Sequence, residues 1–598
     1  MTLHWQAKTI PEELRTMLKT LGESHPIREG KGLRLSFRKA EGPGLCEVKI
    51  TGNAAVIGYS TPAQAGRALG ALLAGLVTRQ KPYRETTPFS MLGIMLDCSR
   101  NAVMTVEHLK AWMRKLALLG YNMVMLYTED TYELPGEPYF GYQRGAYTKA
   151  ELKAIDDYAA ALNIEVIPCI QTLGHLENIL RHPPYAVIKD TSTVMLVGEP
   201  KTYALIDKMI GHWKSVCRTN RIHIGMDETH DLGRGRYLDM HGFKRGFDLF
   251  NEHLAKVIGI CGKHGLKPMI WSDMYFRLGS PSGQSYYDPA TIIPKDVIRA
   301  MPKELELVYW DYYHEDKAFY LDWIQRHRKM GKEPLMGSGI WTWNKYWHDQ
   351  RLTQSRAGPC IESCYEAKLK EIFFTQWGDD GAYCDHDSAF AGMTWCADKA
   401  YGIKQPSPSS LEKRFAAVCG GSYRAHMLAG DMHGGIGNFQ PKMWDDPFFE
   451  THFRTFAKDS PRRMADLAKY FSGLAGKLKT HAGNHNTGDM AHAYATARAF
   501  AVRYSLAADL LAVYRKHDKK ALKKIRARIP AAAAGIRAME KSFRRMWLRH
   551  NKSQGLETIQ EHFGMIEARY REMAARLAEY IEGRTENIAE LDCRCPPG

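Results

Sequence analysis

Eight short apolar runs constrain this chain more than any other feature. They are Gly93–Asp97, Asn122–Tyr127, Glu165–Ile170, Arg221–Asp227, Lys267–Trp271, Glu306–Trp310, Pro334–Ile340 and Glu371–Gln376. Helical spacing fills the gaps, as in Val106–Leu119, Lys149–Leu162, Thr202–Cys217, Gly246–His264 and Lys317–Met330. Runs that are apolar throughout, rather than alternating, describe strands covered on both faces, as in a parallel sheet. Eight of them interleaved with helices over roughly 300 residues predict an α/β fold, a (β/α)8 TIM barrel. A doubly wound open sheet is the competing architecture. It would normally place a glycine-rich phosphate turn after its first strand. Cys98-Ser99-Arg100-Asn101 is no such turn.

The flanks read differently. Residues 1–88 form a small α+β unit: strand-like Leu33–Phe37, Glu47–Thr51 and Asn53–Gly58, then an apolar helix from Ala63 to Thr78 behind Thr61-Pro62. The barrel takes residues 89–400. Residues 401–598 form an α-helical C-terminal domain, with Ser460-Pro461 opening one helix and Ala493–Tyr514, Lys519–Met546 and Leu556–Ile581 supplying others.

The net charge of +16 points at first to a polyanionic partner. Its distribution argues otherwise. Residues 1–400 hold 49 basic and 46 acidic side chains, whereas residues 503–552 hold 15 basic and 3 acidic ones. The barrel is therefore nearly neutral, and the excess belongs to a helical stretch where a charge run is normally a solvated face. Cys46, Cys98, Cys169, Cys217 and Cys261 sit in or beside apolar runs and read as buried thiols; Cys593 and Cys595 lie too close together to bridge easily. No paired zinc spacing, secretory leader or spanning apolar segment is apparent, so the expectation is a cytoplasmic protein without membrane or nucleic-acid partners, a homodimer being one option.

Chemistry in such a barrel sits at the C-terminal ends of the strands. Those ends carry Asp97-Cys-Ser-Arg100, Glu129-Asp130, His175, Asp227-Glu228, Trp271, Trp310-Asp311-Tyr312-Tyr313, Trp341-Thr-Trp343 and Trp377-Gly-Asp379. Tryptophan faces cover the C–H faces of sugars, while carboxylates, arginine and histidine take the hydroxyls. The pattern predicts a carbohydrate pocket. Asp227-Glu228 is its sharpest element. Two adjacent carboxylates in a dry site are driven apart in pKa, leaving one as a proton donor and the other as a stabilising anion.

His223-x-Gly225-x-Asp227-Glu228 resembles the signature of glycoside hydrolase family 20, the β-N-acetylhexosaminidases. Leu96-Asp97-x-Ser99-Arg100, Gly174-His175, Trp271, Trp310 and Trp377-x-Asp379 are similar to other motifs of that family, and the helical tail resembles extensions in one bacterial branch. The resemblance implies hydrolysis of terminal β-linked GlcNAc or GalNAc with retention, through attack by the substrate's own acetamido oxygen and an oxazolinium ion. It implies Glu228 as acid and base, Asp227 as the group orienting the acetamido, Arg100 as a hydroxyl ligand, Asp379 as the final acidic residue of the substrate site, and no cofactor or metal. Two departures stand out. The second strand ends in Glu129-Asp130-Thr131, where Glu129 is the expected supporting acid. The seventh strand gives Trp341-Thr-Trp343-Asn344, with no tyrosine for the acetamido carbonyl. Tyr309, spaced Tyr-x-Asp from Asp311, competes with Tyr312 and Tyr313 for that task.

Three other readings compete. A metal-dependent hydrolase would gather His175, His223, Asp227 and His230. A non-catalytic glycan binder would keep the tryptophans without the acid. A nucleic-acid-binding tail would use the basic stretch at 503–552, although its aromatics (Tyr514, Phe543, Trp547) are sparse for base stacking.

Overall fold

A computed structural model describes residues 2–434, 440–484 and 487–593. Eight parallel strands close into a barrel. They are β1 (Met91–Asp97), β2 (Met123–Thr128), β3 (Glu165–Ile170), β4 (Arg221–His223), β5 (Lys267–Trp271), β6 (Glu306–Trp310), β7 (Leu335–Gly339) and β8 (Glu371–Gln376). β8 lies beside β1, from Glu371 opposite Met91 to Gln376 opposite Leu96, and this pairing seals the barrel. Around it run α1 (Val106–Leu119), α2 (Lys149–Ala161), α3 (Pro200–Val216), α4 (Gly246–Lys263), α5 (Asp273–Gly279), α6 (Lys317–Lys329), α7 (Gln350–Glu366) and α8 (Phe390–Ala400). Local chemistry starts the helices where the sequence punctuates them. The Thr105 hydroxyl accepts the His108 N–H at the head of α1, and Thr148 and Glu151 form a reciprocal capping box on α2.

Strand side chains alternate between two cores. One set packs outward against the helices. The other fills the barrel: Met91, Met95, Met123, Met125 and Met269 lie with Trp271, Trp310 and Trp377 in a separate interior cluster. Arg221 closes the bottom, with its guanidinium 2.7 Å from Glu371 and 3.2 Å from Glu306. The methionine-rich interior leaves the opposite mouth as the place for chemistry.

One strand departs from expectation. The run Arg221–Asp227 is a strand only to His223. Gly225, Met226 and Glu228 then take left-handed backbone, with φ of 71°, 72° and 49°. Gly225 leaves no room for a side chain, because a Cβ there would sit 2.1 Å from the Gln171 amide oxygen. The strand breaks where it must turn its two carboxylates into the mouth; such conformations cluster at functional sites.

The N-terminal region is a six-stranded mixed sheet, in the order Ile27–Glu29, Leu3–Trp5, Leu33–Lys39, Ala54–Tyr59, Leu45–Thr51 and Tyr83–Thr86. The short strands Leu3–Trp5, Ile27–Glu29 and Tyr83–Thr86 are too brief to show in the sequence pattern. A buried ionic clasp fastens this sheet to the barrel. Arg67, with no exposed surface, lies 2.8 Å from Glu85 and 2.5 Å from Asp398 of α8, and Arg414 lies 3.0 Å from Asp398.

Beyond the barrel the chain is helical: α9 (Pro461–Leu478), α10 (Met490–Tyr514), α11 (Lys519–Arg526), α12 (Ile529–His550) and α13 (Leu556–Glu582). Pro530 falls in the first turn of α12 and divides the segment Lys519–Met546 into two helices. Phe471, Phe500, Tyr504, Phe543, Trp547 and Phe563 belong to a second core, which Tyr346, Trp347 and Tyr383 of the barrel loops join. The basic stretch is partly consumed in holding this domain together. Arg503 reaches Glu450, Arg515 Asp459, Arg528 Asp509, and Arg545 and Arg549 both reach Asp489. Cys46, Cys98, Cys169, Cys217 and Cys261 are buried free thiols; Cys593 is exposed, and Cys595 lies outside the described residues. Among the described residues, no helix is long and apolar enough to cross a membrane.

Candidate active site

The mouth of the barrel holds a pocket lined by Arg100, Asp227, Glu228, Trp271, Trp310, Tyr312, Tyr313, Trp343, Trp377 and Asp379. Ten of the fifteen expected site residues therefore share one cavity. Glu129, His175, Asp311 and Trp341 stand behind or beside it, and Tyr309 lies elsewhere.

Asp227 is buried at the pocket floor, whereas the Glu228 side chain is 39% exposed. Asp227 Oδ1 accepts a 2.7 Å hydrogen bond from the Gln171 amide, whose oxygen takes the Met226 N–H at 3.2 Å. His175 Nε2 lies 3.3 Å from Asp227 Oδ2 and 3.6 Å from Glu228 Oε2. Burial disfavours a charged imidazole, but the Asp227 carboxylate outweighs it and lifts His175 to about 9. In return, burial alone would raise Asp227, yet His175 and the Gln171 amide hold it well below the ordinary carboxylate range. The site thus keeps a fixed anion at Asp227 beside a more open carboxyl at Glu228.

Further groups support this pair. Asp273, at the start of α5, accepts the Glu228 backbone N–H at 3.0 Å. Burial, then the charge of Asp227, pushes Asp273 far above its usual pKa. The Tyr286 hydroxyl donates to Glu228 Oε1 at 3.2 Å and also meets the His230 ring.

Arg100 is fixed on the other wall. Its guanidinium is 3.2 Å from Asp97 and 3.6 Å from Glu129, and lies over the rings of Tyr127 and Trp377 at 4.8 and 5.0 Å. Burial raises Glu129 to about 7 and Asp379 to about 6, against the pull of Arg100. Asp97 also accepts the Gly378 N–H at 2.9 Å, joining the β1 and β8 ends.

The aromatic residues sort by strand parity. Trp310 faces in, so its neighbour Tyr309 must face out. The Tyr309 ring packs 5.1 Å from His327 of α6, and its hydroxyl donates to Asp311 at 3.0 Å. It does not line the pocket. Asp311 accepts the Tyr313 N–H at 2.9 Å and holds the turn that presents Tyr312 and Tyr313. The Tyr312 hydroxyl is buried in the pocket wall beside Thr375 and Trp377, while Tyr313 is 50% exposed at the rim. Trp341 stacks on Trp343 at 4.2 Å and backs it from outside.

Of the four residues of the metal alternative, His175 and Asp227 meet at the pocket, but among the described residues they belong to no metal-compatible group of three. His223 faces the Trp271 ring at 4.4 Å and accepts the Gly225 N–H, and burial lowers it to about 3. Among the described residues, the metal-compatible grouping of three is His108, Asp387 and His550, at the barrel–tail boundary. There the two imidazoles stack at 4.2 Å and His108 bonds Asp387 directly at 2.7 Å.

Comparison with known proteins agrees with this geometry. The family model "Glycosyl hydrolase family 20, catalytic domain" matches residues 89–357, and "Glycoside Hydrolase 20C C-terminal domain" matches residues 442–596. The chain belongs to glycoside hydrolase family 20. It is similar to human Hexosaminidase D, 28% identical over 258 residues, which is 41% of this chain and 50% of the human protein. The bovine Hexosaminidase D is 26% identical over 223 residues, 36% of this chain and 61% of that protein. The matches thus span only about half to three fifths of these curated relatives. Among solved structures, the Vibrio harveyi family 20 exo-β-N-acetylglucosaminidase bound to N-acetylglucosamine superposes with a TM-score of 0.53 at 15% identity, covering 70% of this chain and 72% of that one. Flavobacterium johnsoniae chitobiase gives a TM-score of 0.52 at 16% identity, covering 88% and 92%. At these identities, the likeness is one of fold. Within the family 20 site, Gln171, Asp273 and Tyr286 extend the residues anticipated from sequence.

Proposed function

We propose that this family 20 chain is a retaining exo-β-N-acetylhexosaminidase acting by substrate assistance on terminal β-linked GlcNAc or GalNAc. The observation that carries this reading is the division of labour between adjacent carboxyls: Asp227 is buried, paired with His175 and held anionic, while Glu228 opens to the pocket. The Vibrio harveyi relative bound to N-acetylglucosamine gives the sugar class.

In the first step the protonated Glu228 donates to the glycosidic oxygen as the C1–O bond breaks. The acetamido oxygen attacks C1, and the positive charge passes to an oxazolinium ring. Asp227 accepts the acetamido N–H and faces that charge. The aglycone leaves as the alcohol. In the second step Glu228, now a carboxylate, takes a proton from water; the hydroxide so generated attacks C1 and reopens the ring. Each face is used once, so configuration is retained. Intramolecular attack replaces an enzyme nucleophile and supplies its effective concentration.

Tyr312 is assigned to the acetamido carbonyl, because it lines the pocket while Tyr309 faces α6 and Tyr313 stands at the exposed rim. Arg100 and Asp379 hold the ring hydroxyls, with Glu129 supporting Arg100, and Trp271, Trp310, Trp343 and Trp377 enclose the sugar. The barrel, residues 89–400, carries the chemistry. The buried free thiols suit a reducing, cytoplasmic setting.

Glu228→Gln keeps the shape and removes the proton donor. It is expected to cut turnover of 4-nitrophenyl N-acetyl-β-glucosaminide by roughly 10²–10⁴ while N-acetylglucosamine still binds. Unchanged turnover, or equal cleavage of the glucoside lacking the acetamido group, rejects the assignment.

A further inference from the structure

The helical tail meets the loops at the barrel mouth in several places: Tyr383 stacks on Phe543 and bonds His492, and Asp385 pairs with His550. Between α12 and α13 the chain lies against the loop that follows β1. Lys552 N–H donates to Val103 carbonyl at 2.8 Å, and Thr105 N–H donates to His550 carbonyl at 2.9 Å. The contact ends at Asn101, next to Arg100. Asn101 has left-handed backbone, φ 70°, and its side-chain amide donates to the Thr558 hydroxyl of α13 at 2.7 Å and to the Gly381 carbonyl at 3.4 Å. The Thr558 hydroxyl donates onward to Gly555 carbonyl at 2.8 Å, so it is oriented as an acceptor for Asn101.

The fit around Asn101 is close. A Cβ on Gly555 would meet the Asn101 carbonyl at 2.5 Å, and one on Gly381 would meet the Asn101 amide at 2.9 Å. Gly381 lies two residues beyond Asp379. One asparagine side chain therefore ties together the loop carrying Arg100, the loop carrying Trp377 and Asp379, and the first turn of α13. Asp97 already links Arg100 to Gly378 from below. The Asn101 amide, held by Thr558, links the same two loops from above.

We propose that Thr558 of the tail is a positioning residue for the sugar pocket, acting through Asn101 to set the separation of Arg100 and Asp379. It touches no pocket surface itself. The proposal rests on the reading of Arg100 and Asp379 as sugar ligands, but its structural half does not. Losing the tie loosens two loops that bind the sugar in ground and transition states alike, so the effect falls on KM and kcat/KM more than on kcat.

The test compares Thr558→Val, Thr558→Ser and Lys552→Met in the full chain. Lys552 bonds the Ala146 carbonyl and Glu151, so it loads the same interface away from the pocket loops. Hydrogen exchange followed by mass spectrometry comes first and needs no turnover. Thr558→Val is expected to speed exchange in residues 97–102 and 378–383 at least about tenfold, Thr558→Ser to restore protection, and Lys552→Met to leave both segments unchanged. Kinetics on 4-nitrophenyl N-acetyl-β-glucosaminide are then expected to show KM raised about five- to tenfold in Thr558→Val alone, with kcat within about twofold. Unchanged exchange in Thr558→Val, or the same changes in Lys552→Met, overturns the proposal. Altered exchange with unchanged KM overturns the positioning role. If the wild type proves inactive on this substrate while exchange responds as expected, the error lies in the proposed activity and not in the tie.

Discussion

Asp227→Asn tests the electrostatic core of the site. The substitution keeps the shape and removes one negative charge 3.3 Å from His175 Nε2. His175 now titrates at about 9, against 6.5 for a free imidazole. At about 1.4 kcal/mol per pH unit, the carboxylate stabilises the imidazolium by on the order of 3 kcal/mol net of burial. Buried histidines that lack such a partner show the opposite trend: His253 and His327 are each lowered to about 4 by burial. In the variant, Glu129 offsets part of the loss while Arg100 and burial oppose the charge. The His175 midpoint is therefore expected to fall by roughly two pH units or more. Nitrogen-detected NMR of labelled imidazoles, assigned with His175→Gln, measures it directly. The sign for stability follows from a folded pKa above the unfolded one. The stabilisation is fully present below pH 6.5 and is lost as pH rises through about 9. Wild-type stability should decline across that window, whereas the variant should be flatter there. The same lost charge faces the oxazolinium ion, so kcat should drop by about 10²–10³. A His175 midpoint within half a unit of the wild type would refute the pairing that this account of Asp227 depends on.

Two further substitutions probe other parts of the molecule. Tyr312→Phe should lower kcat/KM for 2-acetamido substrates by about 10–100-fold with unchanged melting; a loss of under about threefold would reassign the acetamido contact. Arg67→Met leaves the Glu85 and Asp398 carboxylates buried beside Arg414 alone. It should cost about 3–5 kcal/mol in denaturant unfolding, and a cost below about 1 kcal/mol would mean that the clasp carries little stability.

The barrel was legible because strands buried on both faces leave continuous apolar runs, which turns and helices separate clearly. Strand ends then pointed to the pocket, since fold alone dictates where chemistry gathers. What parity decides was also available: Trp310 facing the interior requires Tyr309 to face α6, and spacing alone concealed this. Gln171 and Asp273 were hidden for another reason. Each stands at a strand end, but its importance comes from a bond to a backbone that breaks after His223, and that break depends on left-handed turns at Gly225 and Met226. Tyr286 lies in a long loop with no periodicity to orient it. The three-residue strands of the N-terminal sheet carry too few side chains to form a pattern. The basic stretch at 503–552 misled in bulk, because the acids that answer it, Glu450, Asp459 and Asp489, lie far away in sequence.

The contact between Asn101 and Thr558 spans 457 residues of chain. At synthesis rates of 5–20 residues per second, about 25–90 seconds separate the emergence of its two partners from the ribosome. The other seven barrel strands are made within that interval, yet the loop bearing Arg100 meets its last partner only when α13 appears. A nascent chain stopped in the tail would carry every pocket residue and still lack the brace between two of its loops. On the proposed role of Thr558, a chain stopped short of α13 would bind the sugar more weakly than the full chain.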